Sequence, residues 1–345
     1  MQQDSISTIA IVYNLKPQGV ISDAYEEYDE FATIDALKNQ IEQFGYQVNL
    51  LEYDSSFLKR IVEHRPDFVL NIAEGVGIGR NRESQIPVIL ESLGIPYSGS
   101  DGLSLAAVLD KHFAYKLLKA ARIPVPEQFL ISKETEVKLL RNIFKSAPRW
   151  IIKPRWEGSS KGIFLTSVVK NYDTLYAGVR RVINEYKQAA VVEEFLEKDE
   201  ITVGVIGNQF PRILGMMKIV PVDMTVNNFI YSIEIKRDWE KKVKYLPQSS
   251  IASVTQAWIE SLALKIFSSL ELRDIARVDF RMDSKNIPKV IDINPIPGLS
   301  PRYSDLPILW SLAGNKYSQL IRLFLSESFS RYGIKFNPKK LSMKY

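Results

Sequence analysis

Short apolar runs alternate with helical patterns in the first third of the chain. Three runs predict buried strands, over residues 6–13, 47–51 and 67–72. Apolar residues spaced three and four apart predict helices over residues 33–44, 57–62 and 86–92. Strands that alternate with helices in this way are typical of a parallel sheet covered by helices. We therefore expect functional loops at the carboxyl ends of these strands.

The pattern changes in the middle of the chain. A glycine-rich segment at 73–85 and a long helical pattern over 103–122 come first, and Pro124 ends the helix. Beyond it, a helix is predicted over 175–186 and strands over 150–153, 163–168, 190–195, 200–206, 209–220, 275–282 and 289–293. The first two of these strands form a hairpin, and so do the last two. We expect an α/β fold that becomes α+β towards the C-terminus, with domains at 1–105, 106–187 and 188–345.

Composition excludes several kinds of site. The chain has 345 residues, no cysteine and two histidines, His64 and His112, to which we assign no role. Disulfides, cysteine-ligated zinc, iron–sulfur clusters and cysteine nucleophiles are therefore excluded.

The distribution of charge and hydropathy indicates which partners to expect. The net charge of +5 is scattered rather than gathered in basic runs, so we expect a small anionic ligand and no nucleic acid. No apolar run nears the ~18 residues that span a bilayer, so we expect no membrane partner. The N-terminus has no signal-peptide pattern, and we expect the protein in the cytoplasm.

Three polar residues on the last predicted hairpin form a candidate metal site. Asp292 and Asn294 project together because side chains at i and i+2 of a strand share a face, and Asp279 joins them if the two strands pair. Two carboxylates and one amide oxygen form a hard site that suits Mg²⁺ held jointly with phosphates. The alternative is that these residues only end two strands and are solvated.

The first predicted hairpin carries a candidate phosphate site. Lys153 ends an apolar strand, and a glycine- and serine-rich loop follows it, although the P-loop pattern is absent. Free N–H groups in such a loop can hold phosphate oxygens. The loop's candidate contacts are Glu157, Gly158, Ser159, Ser160 and Gly162. The alternative is an ordinary polar hairpin.

A third candidate site follows the predicted strand over 190–195. The apolar strand runs into Glu193, Glu194, Phe195 and Leu196, which offer backbone groups and an apolar wall to an adenine ring, with Glu200 available for ribose. The alternative is a strand edge guarded by charges. Lys111 and Arg277 are further candidate anion contacts, or members of ordinary ion pairs.

Taken in order, these segments resemble the D-alanine–D-alanine ligase-like family of the ATP-grasp superfamily. The resemblance runs from about Arg82 to Pro307, and its blocks include AAVLDKHFAYKLLKAARIPVP, WIIKPRWEGSSKGI, VVEEFLEKDEITVGVIGN and ARVDFRMDSKNIPKVIDINPIPGLS. It implies an ATP-grasp fold behind an N-terminal Rossmann-like domain. It also implies ATP and Mg²⁺ or Mn²⁺ as cofactors, and an acyl phosphate that an amine attacks. The family often forms homodimers through the N-terminal domain.

The resemblance also implies roles for individual residues. Lys111 and Lys153 would contact ATP phosphates, and loop 157–162 would close over them with Ser159 near the substrate. Residues 193–196 would hold adenine, and Glu200 would hold ribose. The remaining implied roles are the γ-phosphate contact of Lys236, the oxyanion contacts of Arg277 and the Gly298 N–H, the substrate contact of Ser304, and the Mg²⁺ contacts of Asp279, Asp292 and Asn294. The family more often has Glu at the position of Asp292.

The chain departs from the family where the amino acid substrates bind. Segment 13–19 lacks the family's glycine-rich motif and its ammonium-binding glutamate, and the family's histidine-containing block is replaced at 71–85. The glutamates that could substitute are Glu26, Glu27 and Glu30. Arg237 stands where the family has tyrosine, and it favours an acidic substrate or pairs with Glu240.

These departures leave three hypotheses open. The first is an ATP-dependent carboxylate–amine ligase whose substrate is not plain D-alanine. The second is a divergent D-alanine–D-alanine ligase of peptidoglycan synthesis. The third is a nucleotide-binding protein without ligase activity.

Overall fold

A computed structural model of the chain describes residues 6–20, 22–145 and 147–338. The outer limits expected for the first and last domains, residues 1 and 345, lie outside these ranges. Short 3-10 turns occur at Asp23–Tyr25, Arg82–Ser84, Glu134–Leu140, Ile143–Lys145, Leu165–Ser167, Val226–Asn228 and Gln248–Ser250.

The N-terminal part is a parallel sheet with helices on both faces, as its alternating pattern predicts. Its strands are β1 (Thr8–Tyr13), β2 (Gln47–Glu52) and β3 (Phe68–Asn71), in the order β2-β1-β3. Its helices are α1 (Phe31–Gln43), α2 (Phe57–Glu63) and α3 (Gln85–Ser92). Ile9 and Ile11 of β1 join the core on the α1 side, whereas Ala10 and Val12 join the core on the side of α2 and α3. The residues of β1 thus alternate between two buried faces.

Two helices replace the single long helix predicted over 103–122. They are α4 (Gly102–Leu109) and α5 (Lys111–Ala120). Asp110 separates them because its backbone is extended, at φ −79° and ψ 91°, and its carboxylate accepts the N–H of Phe113 at 3.1 Å. This is an N-cap, which begins a new helix.

The central sheet has four strands and one long helix. The strands are β4 (Gln128–Ile131), β5 (Trp150–Pro154), β6 (Val168–Val169) and β7 (Ala190–Glu194), in the order β4-β7-β5-β6, and the helix is α6 (Tyr172–Tyr186). Strand β7, which belongs to this sheet, lies beyond the boundary near residue 187, and the domain limits stay a prediction.

The prediction of a strand over 163–168 is wrong for most of that segment. Only Val168 lies in a strand, and the three residues before it form a 3-10 turn. The Ser167 hydroxyl accepts the N–H of Phe164 at 3.0 Å, and the Phe164 ring lies under the guanidinium of Arg181. A side-chain hydrogen bond to the nearby backbone therefore competes with strand pairing here.

The largest sheet is antiparallel. Its strands are β8 (Glu200–Gly207), β9 (Arg212–Pro221), β10 (Val243–Pro247), β11 (Asp274–Met282) and β12 (Pro288–Asn294), in the order β10-β9-β8-β11-β12. The accompanying helices are α7 (Ile233–Arg237), α8 (Trp239–Lys242), α9 (Ser253–Ser269), α10 (Asp305–Leu312) and α11 (Tyr317–Arg331). Helix α9 covers one face, and α10 and α11 cover the other in a core shared with β1.

A β-bulge in the β11–β12 hairpin lies beside the predicted acidic residues. Asp279 pairs with Asp292, but the next residue of β11 pairs with Val290, so Ile291 is an extra residue. Val290 is fully buried in the core under α9. The bulge lets β12 place Val290 in that core while Asp292 and Asn294 line a cleft on the other face.

In the part of the chain that the structure describes, no helix is both long enough and apolar enough to cross a membrane.

Candidate active site

A cleft opens where the N-terminal loops, the central-sheet loop 155–162 and the large sheet meet. Its larger cavity has a volume of about 350 Å³, and a cavity of about 80 Å³ adjoins it and shares Lys111, Lys236 and Arg277 with it. Predicted site residues that line the larger cavity are Lys111, Glu157, Gly158, Ser159, Lys236, Arg277, Asp292, Asn294, Gly298 and Ser304. Those that line only the smaller one are Lys153, Ser160, Glu200 and Asp279. Of the described residues predicted for the site, Gly162 and the segment 193–196 lie outside both linings.

The candidate metal ligands are neighbours across the β11–β12 pair. Asp279 is opposite Asp292, and the amide of Asn294 donates to Asp279 at 3.2 Å. Thr202, on β8, donates its hydroxyl to the same Asp279 carboxylate at 2.9 Å. Within the described ranges no three Asp, Glu, His or Cys side chains converge as for a metal cage, so Asn294 would supply the third oxygen. Two carboxylates and a carboxamide fit a hard cation that keeps further oxygen ligands.

Asp292 is the acidic residue that faces the cations of the cleft. Its Oδ1 lies 3.3 Å from Nζ of Lys111, at the start of α5. Burial alone would raise the pKa of Asp292, but the positive charges of Lys111 and Lys153 outweigh it and hold the pKa below its ordinary value. Asp292 is therefore ionised at neutral pH and available to a metal ion.

Arg277 is held by two carboxylates. Its guanidinium lies 2.9 Å from Asp279 and 3.5 Å from Asp305 at the start of α10. Burial opposes the charged form, but Asp279 and Asp305 outweigh it and raise the pKa of Arg277. Because it is fixed in orientation and always charged, it can stabilise a negative charge that develops in the cavity.

Lys236 approaches the same region from α7. Its Nζ lies 5.1 Å from the ring centre of Tyr231. Burial lowers the pKa of Lys236, and the nearby charge of Arg277 adds to this effect. Among the described residues no carboxylate lies within 4.0 Å of the Lys236 ammonium group, although Asp305, Asp279 and Asp292 act on it from farther away, so Lys236 is well suited to bind an incoming anion.

The loop over 157–162 is fixed to both sides of the cleft. Ser159 and Ser160 adopt left-handed backbone conformations with φ of 47° and 61°, and the Ser160 hydroxyl donates to the Tyr231 carbonyl at 2.7 Å. The Gly158 N–H donates to Glu27 of the N-terminal part. Gly162 has φ of 75°, and a Cβ there would meet the Pro154 ring, so its role is to close the loop rather than to line the cavity.

Glu157 is buried behind this loop. Its carboxylate accepts from Gln188 at 2.7 Å and pairs with Lys161 at 2.7 Å. It therefore anchors the loop from below, in addition to bordering both cavities.

The predicted adenine and ribose contacts lie at the end of β7 and the start of β8. Glu193 is bound by Lys153 at 2.6 Å, and Glu194 pairs with Lys289 at 2.9 Å. The Phe195 ring packs against the guanidinium of Arg281, at 4.7 Å from its centre. Both acidic side chains are engaged, and Phe195 and Leu196 are buried. Since the segment lines neither cavity, its role as an adenine contact stays a prediction.

Glu200 lies in the smaller cavity beside the same arginine. Its carboxylate is 3.6 Å from Arg281, and burial raises the pKa of Glu200 to about 7 despite that positive charge. A carboxyl group that is partly protonated near neutral pH can both accept and donate hydrogen bonds to hydroxyl groups.

The residues at which the chain departs from the family pattern form ion pairs with one another. Arg237 donates to Glu26 at 2.5 Å, and Lys16 lies 3.3 Å from the other oxygen of Glu26. The structure thus gives Arg237 a partner from the N-terminal part of the chain. Glu26 is one carboxylate shared by two cations, so it does not neutralise both, and the expectation of an acidic substrate stays a prediction.

Several residues of the cleft are not predicted from the sequence. Asp305 and Thr202, which orient Arg277 and Asp279, are separated from them in the sequence and become neighbours only through the fold. Glu74, Glu83 and Asp29 also line the larger cavity. Glu74 and Glu83 lie in a glycine-rich segment after β3. This position could have predicted them as site residues, because loops that follow the strands of parallel sheets often carry binding sites.

Comparison with known proteins matches this chain to one family model and to relatives over most of its length. The family model described as D-ala D-ala ligase C-terminus matches residues 117–326. The uncharacterized protein y4sG of Sinorhizobium fredii is 28% identical, with 94% of this chain and 97% of that protein covered. The D-alanine--D-alanine ligase of Pelotomaculum thermopropionicum is 27% identical, with 88% and 93% covered.

Solved structures share the fold. The D-alanine--D-alanine ligase from Bacillus anthracis complexed with ATP superposes with a TM-score of 0.74 at 21% identity, over 96% of this chain and 99% of that one. The VanG D-Ala:D-Ser ligase from Enterococcus faecalis superposes with a TM-score of 0.71 at 19% identity, over 94% and 100%. The expected ATP-grasp fold with an N-terminal parallel-sheet part is thereby confirmed.

Proposed function

The chain belongs to the D-alanine–D-alanine ligase family of ATP-grasp ligases, and we propose that it joins a carboxylate to an amine through an acyl phosphate, with a substrate other than plain D-alanine. ATP is cleaved to ADP and phosphate. The observation that carries this proposal is the convergence on one cleft of Lys111, Lys236 and Arg277 with the three oxygen ligands of the β11–β12 hairpin. This combination of cations and hard oxygen ligands suits the transfer of a phosphoryl group.

Each basic residue has a distinct task in the proposal. Lys111 and Lys153 bind phosphate oxygens of ATP, and their pairing with Asp292 and Glu193 holds them in position. Lys236 binds the γ-phosphoryl group on the opposite side. Such positioning accounts for much of the catalysis of phosphoryl transfer.

Asp279, Asp292 and Asn294 would hold Mg²⁺. When bound, the ion neutralises the charge of the phosphate oxygens. The chain's own contribution is the bulge, which places the two carboxylates face to face, and the Thr202 hydroxyl, which orients Asp279.

The second half of the reaction uses Arg277 and the Gly298 backbone. The amine attacks the carbonyl carbon of the acyl phosphate, and both groups donate to the oxygen on which negative charge develops. A Cβ at residue 298 would lie 2.7 Å from the Ser304 hydroxyl, so any larger residue here would have to displace that hydroxyl. Phosphate then leaves, and the C–N bond is complete.

An acyl phosphate hydrolyses readily in water, and the loop over 157–162 is suited to exclude it. Ser160 bonds to the Tyr231 carbonyl, and Gly158 bonds to Glu27, so the loop is closed over the cleft from two sides. Ser159, between these anchors, faces the larger cavity and would contact the substrate.

Contacts at the substrate end of the cleft support a substrate other than D-alanine. Glu26 and Glu27, two of the glutamates that could bind the substrate's ammonium group, are engaged by Arg237 and Arg82. D-alanine–D-alanine ligase activity remains the alternative, because relatives over nearly the full length of the chain carry that name. A nucleotide-binding role without ligation is less well supported, since it does not require the hard ligand set on β11 and β12.

The test is phosphate release from Mg·ATP across a panel of L- and D-amino acids, singly and in pairs, with mass spectrometry of the products. The proposal expects stimulation together with an amide product that is not D-alanyl-D-alanine. Formation of that dipeptide from D-alanine alone at the highest rate would favour the alternative. Absence of any product while Mg·ATP binds would favour the non-ligase role.

A further inference from the structure

The N-terminal end of the larger cavity carries carboxylates without partners. Glu83 is buried, with 6% of its surface exposed, and lines the cavity. Its carboxylate has no hydrogen bond or ion pair within the described ranges, and the same holds for the carboxylates of Glu74 and Asp29, which line the cavity too. Glu83 is the buried member of this set, whereas Glu74 and Asp29 are half-buried. A buried acidic group with no hydrogen-bond partner is costly, so the position of Glu83 favours the binding of a cation in the cavity.

The cations at this end of the cavity are already bound to other acids. Arg82 lies 2.5 Å from Glu27, and Glu26 is shared by Lys16 and Arg237. Lys111 is directed towards Asp292 on the opposite wall. Glu74, Glu83 and Asp29 therefore have no cation within ion-pair distance, although the charges of Arg82 and Lys111 also act on Glu83.

The electrostatics of the three carboxyl groups agree with this geometry. Burial raises the pKa of Glu83 to about 8 and that of Asp29 to about 7. Burial also raises the pKa of Glu74, and the charge of Glu83 adds to the effect. A cation bound between them would reverse these shifts.

A metal ion is a poor match for these residues. Over the described ranges, no group of three or more Asp, Glu, His and Cys side chains is close enough to hold one ion. Carboxylates that do not converge on one point suit separate nitrogen atoms of an organic ligand rather than one metal centre.

We infer that Glu74, Glu83 and Asp29 bind a substrate with two basic nitrogens, a diamino acid in which the side-chain amine adds to the α-amine. This inference rests on the proposed ligase function and names its substrate class. An ordinary amino acid brings one ammonium group, which leaves two of the three acidic groups without a cation. A second ammonium group leaves only one, and its raised pKa allows that group to stay protonated. A side-chain ammonium supplies the missing partner, while the substrate's carboxylate faces Arg277 and Lys236.

The test compares diamino acids with neutral amino acids of matched length in the phosphate-release assay. The probes are L- and D-ornithine against norvaline, and L- and D-lysine against norleucine, each alone and paired with alanine. We expect one diamino acid to show a KM at least tenfold lower than its neutral match, with a ligated product in the mass spectrum. Equal or lower KM values for norvaline or norleucine would overturn the inference.

Substitution identifies the residues responsible. Glu83→Gln should raise the KM for the diamino acid at least tenfold more than the KM for its neutral match, with a smaller change in kcat. Glu74→Gln, at a half-buried position, repeats the test should Glu83→Gln not fold. Glu63→Gln on the outer face of α2 is the matched control and should change neither value. Equal KM increases for both substrate classes would contradict a charge-specific role.

The outcomes separate this inference from the function on which it rests. Ligation of neutral amino acids, with diamino acids inactive, would leave the ligase proposal standing and overturn the diamino acid assignment. Binding of Mg·ATP without product from any probe would overturn both.

Discussion

The Nζ atom of Lys153 lies 2.6 Å from Oε1 of Glu193, and both side chains are buried. The pair links β5 to β7, and the same Nζ lies 3.4 Å from the carbonyl of Ile291, the bulged residue of β12. Lys153 thus connects the central sheet to the β11–β12 hairpin. Its position depends on Glu193, a residue that sequence reasoning assigns to the nucleobase.

Replacement of Lys153 should weaken ATP binding through the lost phosphate contact and lower stability through the lost pair with Glu193. If Lys153 binds an ATP phosphate as proposed, Lys153→Met should raise the Kd for ATP about tenfold or more. It also leaves Glu193 buried without a cation, which should lower the free energy of unfolding by about 3–5 kcal/mol. Calorimetric titration with ATP and urea unfolding measure the two effects.

The double variant Lys153→Met/Glu193→Gln separates them. It removes the unpaired charge, so stability should largely return while ATP affinity stays low. Unchanged ATP affinity in Lys153→Met would exclude the phosphate role of this lysine.

Loss of one carboxylate on β12 should abolish product formation. Asp292→Asn keeps the shape of the side chain but removes a charge that Mg²⁺ requires, so turnover should fall at least 100-fold with the fold intact. Circular dichroism and phosphate release with a demonstrated substrate measure this. Asp223→Asn, at an exposed ion pair with Lys242, is the control. Near-normal turnover of Asp292→Asn would show that the metal assignment is wrong.

The buried pair between Arg82 and Glu27 should stabilise the closed cleft. Arg82→Met leaves Glu27 without its cation at a position 3% exposed, and the free energy of unfolding should fall by about 3–5 kcal/mol. Lys59→Met, which removes an exposed pair with Glu63, should cost less than about 1 kcal/mol. Urea unfolding compares the two, and equal costs would indicate that the Arg82 pair is not a structural anchor.

The raised pKa of Glu83 predicts a pH-dependent stability. The unfolded chain loses this proton near its ordinary pKa of about 4.3, whereas in the folded chain Glu83 keeps it until its pKa of about 8. Between these values the unfolded state binds fewer protons, so stability falls as pH rises.

Glu83→Gln removes this dependence. The variant should therefore have a higher Tm than the wild type at pH 8.5, and the difference should vanish towards pH 4. Thermal unfolding across this range measures it. A Tm difference that is constant with pH would mean that Glu83 is ionised normally in the folded protein.

The residues that sequence reasoning placed best are those whose chemistry follows from local pattern. Asp292 and Asn294 share a strand face by spacing alone, and pairing with β11 brings Asp279 to them as expected. The parallel N-terminal sheet follows from its apolar runs. In these cases the side chain, the element and the site are all determined within a short segment.

The sequence-based predictions are wrong where a side-chain contact prevents the structure that the local pattern favours. The apolar residues over 103–122 predict one helix, but Asp110 is held by Arg155 at 2.7 Å and caps a new one. Phe164, which reads as part of a strand, instead stacks with Arg181. Asp305 contacts Arg277, and Glu83 lines a cavity formed by distant segments of the chain. No local sequence pattern contains these relationships.

The most direct test of the proposed chemistry follows one oxygen atom. The amino acid that supports the highest rate is supplied with its carboxylate labelled with ¹⁸O, and the phosphate released from Mg·ATP is analysed by mass spectrometry. If the carboxylate attacks the γ-phosphorus and the amine then displaces phosphate, each phosphate released must carry one labelled oxygen. Unlabelled phosphate, released while the amide product forms, would contradict an acyl-phosphate ligase.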